Sequence, residues 1–252
     1  MHYIELAEVA NTSGLKLVLS KGMPGPWGEL IKAILAVKNV SYTAVAQYPG
    51  RSDAELKALS GQASAPVLLS EGVCLSDLKE IILNIEKNYP SPMLLPTNKL
   101  ELAAVWELIY LITGKGGFAW NRRVMMFAPL MQLDQPIEMI KNLALKYGYC
   151  EIVAESAQQK VLQVLGRIGA LLNDQAKHGK LYILGNSLTA LDIAWAVFSS
   201  MLLPLPKAVN AMPAGMRDSY TLNSDLMIDV DSILIEHRDY IYKNYLTLPL
   251  DY

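Results

Sequence analysis

Residues able to do chemistry are sparse, and a place that invites a nucleophile has none. The stretch LVLSKGMPGPWGELIKAILAVKN, residues 17–39, passes from an apolar run into an amphipathic one through a turn with three glycines and two prolines. Between Gly22 and Gly28 there is no Cys, Ser, Thr, Tyr, His, Asp or Glu, so Ser20 and Lys21 are the polar groups nearest the turn. Cys74 and Cys150 lie far apart without the C-x-x-C spacing of dithiol chemistry. His2, His178 and His237 are scattered, and no Cys/His/Asp spacing suggests a metal, so none is expected. HRD at 237–239 has the letters of a kinase catalytic loop, but the glycine-rich loop, the partner lysine and D-F-G are missing. It sits in an amphipathic pattern and reads as a solvated or salt-bridged helix face. GKGG, 114–117, fails the P-loop spacing.

These residues need elements to position them. LKLVLS, 15–20, reads as a buried strand, and residues 28–39 carry Leu30, Ile31, Ile34, Leu35 and Val37 at helical spacing. VSYTAVAQY, 40–48, alternates as a second strand parallel to the first. DAELKAL, 53–59, is a short helix with Asp53 as cap; APVLLSEGVCLSD, 65–77, is a hairpin; LKEIILNIEKNY, 78–89, is a helix stopped by PSP. The order is βαβ-α-ββα. From residue 97 onward only helical patterns remain, including IAWAVFSSMLLPLP, 193–206, which is uncharged but too short for a membrane span and reads as a core helix. The composition shift places one domain at 1–92 and a second, all-helical, at 97–252.

Bulk properties agree. The chain has 252 residues, 52% of them hydrophobic and 18% charged, enough for two cores with little disorder. A formal net charge of −2 gives no electrostatic case for nucleic acid or an anionic membrane surface. Two isolated cysteines and an N-terminus without a signal-peptide pattern lead us to expect a cytoplasmic protein.

A βαβ-α-ββα domain followed by an all-α helical bundle resembles the cytosolic glutathione S-transferase superfamily, whose first domain is thioredoxin-like. Three local features carry the resemblance. In SAPVLL, Pro66 after Ala65 matches the family's cis proline at the start of the third strand. In GNSLTALDIAWA, Thr189 and Asp192 match the family's S/T-x-x-D capping box, with Asp192 buried and structural. CLSDLKEIILNIEKNYP is similar to the family's segment that opens the last helix of the first domain.

The resemblance implies glutathione as co-substrate, bound by Trp27, by Ala65, Pro66 and Val67, and by Asp77 and Leu78. Asp77 falls where the family has Glu or Gln; Leu78 replaces a serine, leaving only its N–H for the glutamyl carboxylate, with Ser76 next door as a substitute. Capping alone is the other reading of Ser76 and Asp77. GPWG, 25–28, aligns with C-P-x-C or S-P-x-S in relatives, so the usual donor to the glutathione sulfur is absent, and Ser20 and Lys21 are the remaining catalytic candidates. By the same analogy Tyr110, Trp120, Arg122, Arg123 and Met126, with Met125 and Phe127, line a second-substrate pocket for an apolar electrophile; core or dimer interface is the alternative role. The expectation is a homodimeric glutathione transferase. Its rivals are a non-catalytic scaffold of the same fold, and a specialised glutathione-dependent lyase or isomerase.

Overall fold

The computed structural model describes residues 1–49, 53–221 and 230–252. The chain forms two compact units. The first comprises Met1–Met93, Pro206–Pro213 and Tyr245–Tyr252; the second comprises Leu94–Leu205 and Ala214–Asn244. Two segments that the sequence reading assigns to the helical domain, 206–213 and 245–252, therefore group with the first unit. A backbone bond from Leu250 N–H to Val209 O joins them to each other.

The first unit is built on a five-stranded sheet: β1 (Tyr3–Ile4), β2 (Lys16–Ser20), β3 (Thr43–Gln47), β4 (Val67–Ser70) and β5 (Val73–Leu75), in the order β1-β3-β2-β4-β5. β1, β3 and β2 run parallel, and β4 and β5 are antiparallel additions. β2 is buried at four of its five positions, which is why it reads as a continuous apolar run rather than an alternating one. Among the described residues a 3-10 helix (Leu6–Asn11) and three α-helices complete the unit. α1 (Pro26–Val37) buries Leu30, Ile31, Ile34 and Leu35. α2 (Ala54–Ser60) is capped by Asp53, whose side chain accepts from Leu56 N–H, and α3 (Leu78–Asn88) buries Ile81, Ile82 and Ile85.

Val18, Val45, Leu56, Val67 and Leu69 form a core cluster on the sheet, with Ile4, Leu6 and Val9 packed against it. The Lys38 ammonium, fully buried, donates to the carbonyls of Tyr89 (2.8 Å) and Pro92 (2.6 Å) and pairs with Glu86 (2.8 Å), fixing the end of α3 against the end of α1. That geometry satisfies all three protons of a group that is costly to bury unpaired.

The helical unit contains α4 (Lys99–Thr113), α5 (Phe118–Met131), α6 (Glu138–Lys146), α7 (Glu151–Lys177), α8 (Ala190–Phe198), α9 (Ala214–Thr221) and α10 (Ile233–Tyr245). Every residue of α8 is buried, so the uncharged run at 193–206 is a core helix and a following 3-10 turn. Two of the HRD residues face inward: His237 and Arg238 are each 5% exposed. Arg238 pairs with Asp239 (2.8 Å) and donates to Leu203 O, while His237 meets Asp192. No helix among the described residues is long and apolar enough to cross a membrane.

Candidate functional site

Strand register gathers the site. The β2–β4 ladder pairs Val18 with Val67, and the β4–β5 ladder pairs Leu68 with Leu75. Continuing each register two residues sets Ser20 alongside Ala65 and Pro66 alongside Asp77. The carboxyl end of β2, the start of α1, the Ala65–Pro66 loop and the start of α3 thus lie at one end of the sheet. That is the end where open α/β sheets hold ligands. The Ala65–Pro66 peptide is cis. The Gln62 side-chain amide braces this loop by donating to Ser64 O (2.8 Å) and Pro66 O (3.1 Å).

The turn itself holds two different glycines. Gly25 is the N-cap of α1, with φ −68 and ψ 114 and no side-chain cap. A Cβ there would stand 3.8 Å from Ser20 Oγ, an ordinary contact, so the Ser20 hydroxyl borders the side-chain position that Gly25 leaves empty. Gly28 is a packing glycine: a Cβ would meet Leu19 Cδ2 at 2.9 Å, and Leu19 is only 3% exposed. α1 therefore sits too close to β2 for a second cysteine or serine at that position without displacement. Gly28→Ala is expected to destabilise by about 1–3 kcal/mol, read from urea unfolding, because overpacking moves a core side chain.

The polar groups beside the turn have partners. Ser20 Oγ donates to Gln47 Oε1 (3.0 Å), and the Gln47 amide donates to Tyr48 O (2.9 Å), which orients its oxygen toward the serine. The Lys21 ammonium donates to Tyr48 Oη (3.3 Å), lies 3.7 Å from Glu5 Oε1, and stands over the Tyr3 and Tyr48 rings at 5.8 and 5.3 Å. The Tyr48 hydroxyl first, and Glu5 after it, hold its pKa above the usual lysine value. Asp77 caps α3, its Oδ1 accepting from Glu80 N–H at 3.0 Å. Ser76 Oγ donates to Ser60 O at 3.1 Å, leaving the half-buried Leu78 as first residue of the helix. Trp27 is half-buried in the first turn of α1.

The residues assigned by resemblance to the second-substrate pocket do not all come together. Tyr110 is 61% exposed on α4, and Met126 is buried. Arg122 is 1% exposed and directed into its own unit, with Nε donating to Met201 O (2.9 Å), Nη2 to Tyr220 O (3.2 Å) and Nη1 to Met125 Sδ (3.8 Å). Burial pushes its pKa down to about 10. Trp120 and Arg123 share a neighbour, Tyr147: the Trp120 ring meets it edge-on at 5.0 Å, and the Arg123 guanidinium lies 5.9 Å from its centroid. Thr189 and Asp192 form the capping box of α8. Gln47, Gln62, Tyr147 and Tyr220 escape the sequence reading. Gln47 alone had a local signal, because it ends the strand parallel to β2 and pairs with Ser20 in register. Among the described residues no group of three or more His, Cys, Asp or Glu is placed to hold a metal.

Residues 22–93 match the glutathione S-transferase N-terminal domain family. No curated protein sequence matches the chain. Among solved structures, a glutathione S-transferase from Methylobacillus flagellatus KT with glutathione bound is 18% identical, with 92% of this chain and 96% of that one covered and a TM-score of 0.64. A glutathione S-transferase from Methylobacterium radiotolerans in complex with glutathione sulfonate is 20% identical over 86% of this chain and 94% of that one, TM-score 0.57. The nitrogen regulation fragment of the yeast prion protein Ure2p is 14% identical over 92% and 93%, TM-score 0.65. Similarity at this level establishes the fold and leaves activity open, since a fold hosts many functions. Residues 22–93 thus match the glutathione S-transferase N-terminal domain family, and the chain as a whole shares the fold of the glutathione S-transferases.

Proposed function

We propose that the chain binds glutathione in its first unit and conjugates it to an apolar electrophile. The observation that supports this reading is the strand register, which, continued past its last pairs, would bring Ser20 beside the cis Ala65–Pro66 loop and the start of α3, the latter two within the family-matched segment. The tripeptide would run along Ala65, Pro66 and Val67. Its glutamyl end would meet Asp77 and the Leu78 N–H at the positive end of the α3 dipole. Trp27 would wall the site. The sulfur would point at the turn 20–28, and Tyr110, Trp120, Arg122, Arg123 and Met126 would serve the second substrate. We further propose a cytoplasmic homodimer, in keeping with Cys74 and Cys150 being free thiols. The similar proteins from Methylobacillus and Methylobacterium that hold glutathione or its sulfonate support the choice of ligand.

In this account the nucleophile belongs to glutathione, and the protein has only to favour thiolate over thiol. A hydroxyl or main-chain N–H directed at the sulfur does so by hydrogen-bonding the charged form. Ser20 is the side-chain donor nearest the vacant position at Gly25, and it must turn from Gln47 to act. The start of α1 adds the positive end of a helix dipole, and holding both reactants together lowers the barrier further. Lys21, engaged by Tyr48 and Glu5, is the weaker candidate.

Conjugation of glutathione to a generic aryl halide tests this. Wild type should turn over; Ser20→Ala should lose about tenfold or more, by analogy with removing one oxyanion-type donor. Gly25→Ser should raise the rate, and should stabilise the fold by about a few tenths of a kcal/mol through the new helix cap. Absence of retention on immobilised glutathione, together with absence of a thermal shift, would contradict the proposal. Binding without turnover would support the second reading, a scaffold, which Gly25 and the Ser20–Gln47 bond favour. Turnover of one natural electrophile only would support the specialised lyase or isomerase.

A further inference from the structure

Arg123 is a buried cation, 8% exposed, with no carboxylate partner among the described residues. Its contacts are phenolic. Nη2 donates to Tyr220 Oη at 3.0 Å, and the guanidinium lies 5.4 and 5.9 Å from the centroids of the Tyr220 and Tyr147 rings. Nε is fully buried and has no hydrogen-bond partner. A second cation adds to the positive potential: the Lys146 ammonium lies 5.7 Å from the Tyr147 centroid, and burial together with Arg123 lowers its pKa.

Burial disfavours this charge and Tyr220 and Tyr147 more than offset that, but neutral phenols supply no countercharge. A guanidinium out of water is stabilised by an anion that accepts from its planar fork, and an unpaired Nε–H in the interior is a penalty with no visible return. Tyr220 Oη, which accepts from Arg123, keeps its own proton for an anion at the same place. The surroundings are aromatic. Phe127 stacks on Tyr147 at 6.0 Å, and Trp120 meets it edge-on at 5.0 Å. Tyr147 and Trp120 are only half-buried, so solvent reaches the cluster from their side.

We propose that the helical unit binds the carboxylate of an aromatic organic acid, with Arg123 Nε–H and Tyr220 Oη–H donating to the carboxylate and Trp120, Tyr147 and Phe127 packing on its ring. This narrows the second substrate of the proposed transferase to acidic electrophiles, and that consequence rests on the transferase reading. The binding site itself does not involve the first unit.

Isothermal titration of the full chain without glutathione tests it, with benzoate as probe, benzamide as its neutral isostere and inorganic phosphate as a non-planar anion. Benzoate should bind one site per chain at least tenfold more tightly than benzamide. Arg123→Gln should lose at least tenfold of that affinity, and Tyr220→Phe severalfold, in proteins whose circular dichroism matches wild type. Should Arg123→Gln fail to fold, the benzoate-to-benzamide ratio in wild type and the Tyr220→Phe loss decide the matter. Equal binding of benzoate and benzamide, unchanged benzoate affinity in either folded variant, or tighter binding of phosphate than of benzoate would overturn the proposal. Because glutathione is absent throughout, a negative result here is separable from failure of the first unit to bind glutathione.

Discussion

Replacing Asp192 by alanine should cost the protein about 3–5 kcal/mol, the range for breaking a buried charged network by removing one member. The carboxylate is fully buried. Its Oδ2 accepts from Thr189 N–H at 2.9 Å and from Thr189 Oγ1 at 2.8 Å. Its Oδ1 accepts from Ile183 N–H at 2.8 Å and faces His237 Nε2 at 3.1 Å. One side chain therefore ties the loop before α8, the start of α8 and the middle of α10. Alanine would leave these donors buried without an acceptor, and an unmet buried donor costs more than its bond contributes. Asp192→Asn, which keeps the shape and one acceptor oxygen, should cost clearly less. Urea unfolding of the three proteins gives the order. A loss for Asp192→Ala within about 1 kcal/mol of wild type, the worth of a single ordinary hydrogen bond, would mean the network does not hold these elements together.

The second large effect is expected at the α4–α5 junction. A Cβ on Gly117 would fall 2.3 Å from Leu111 O and 2.9 Å from its carbonyl carbon, and both are backbone atoms that cannot rotate away. Gly117→Ala should therefore cost about 3 kcal/mol or more, at the top of the overpacking range, because the two helices must separate. Gly116→Ala is the control. Its φ of +78 is unfavourable for alanine, but nothing lies within 4 Å of a Cβ there, so about 1–2 kcal/mol is expected from the left-handed backbone alone. Thermal melts would show the Gly117 variant falling further. The reverse order would place the constraint in backbone conformation instead of close approach.

That junction also shows where the sequence falls short. GKGG is legible as something other than a phosphate loop, but its actual reason, a carbonyl 2.3 Å from a would-be side chain, is a contact between helices that no local pattern encodes. Gly28 on α1 meets the Leu19 side chain of β2, a helix–strand contact that is equally invisible locally. Elements with a strong period were legible: the β2-α1-β3 unit, the 67–75 hairpin, α3, and the Thr189–Asp192 box at the start of a core helix. β1, two residues long, is too short to show a period. The return of 206–213 and 245–252 to the first unit depends on pairings such as Leu250 with Val209, which local pattern does not reveal. Of the helical pattern read from residue 97 onward, residues 222–229 lie outside the described residues, and helix α10 spans Ile233–Tyr245.

Charge was the harder signal. HRD and the Arg122–Arg123 pair carry formal charges that suggest a wet face or a pocket rim. All but Asp239 of these five residues are buried, because α5 is buried continuously from Asn121 to Phe127 and the Asp192 network draws His237 inward. For the candidate site, the resemblance supplied Ala65, Pro66, Asp77 and Leu78. The fate of their polar atoms was invisible in sequence. The Ser20–Gln47 and Ser76–Ser60 bonds decide which hydroxyls must reorient before they can meet a ligand, and both connect residues far apart in the chain.

The central claim is that glutathione lies at one end of the sheet between β2, the cis-proline loop and the start of α3. Hydrogen–deuterium exchange of the full chain, with and without saturating glutathione, tests it most directly. The account predicts slowed exchange confined to the turn 20–28, the loop 64–67 and the first turn of α3 at 77–80. Unchanged exchange in all three segments, or slowing found only within 94–205, would contradict it.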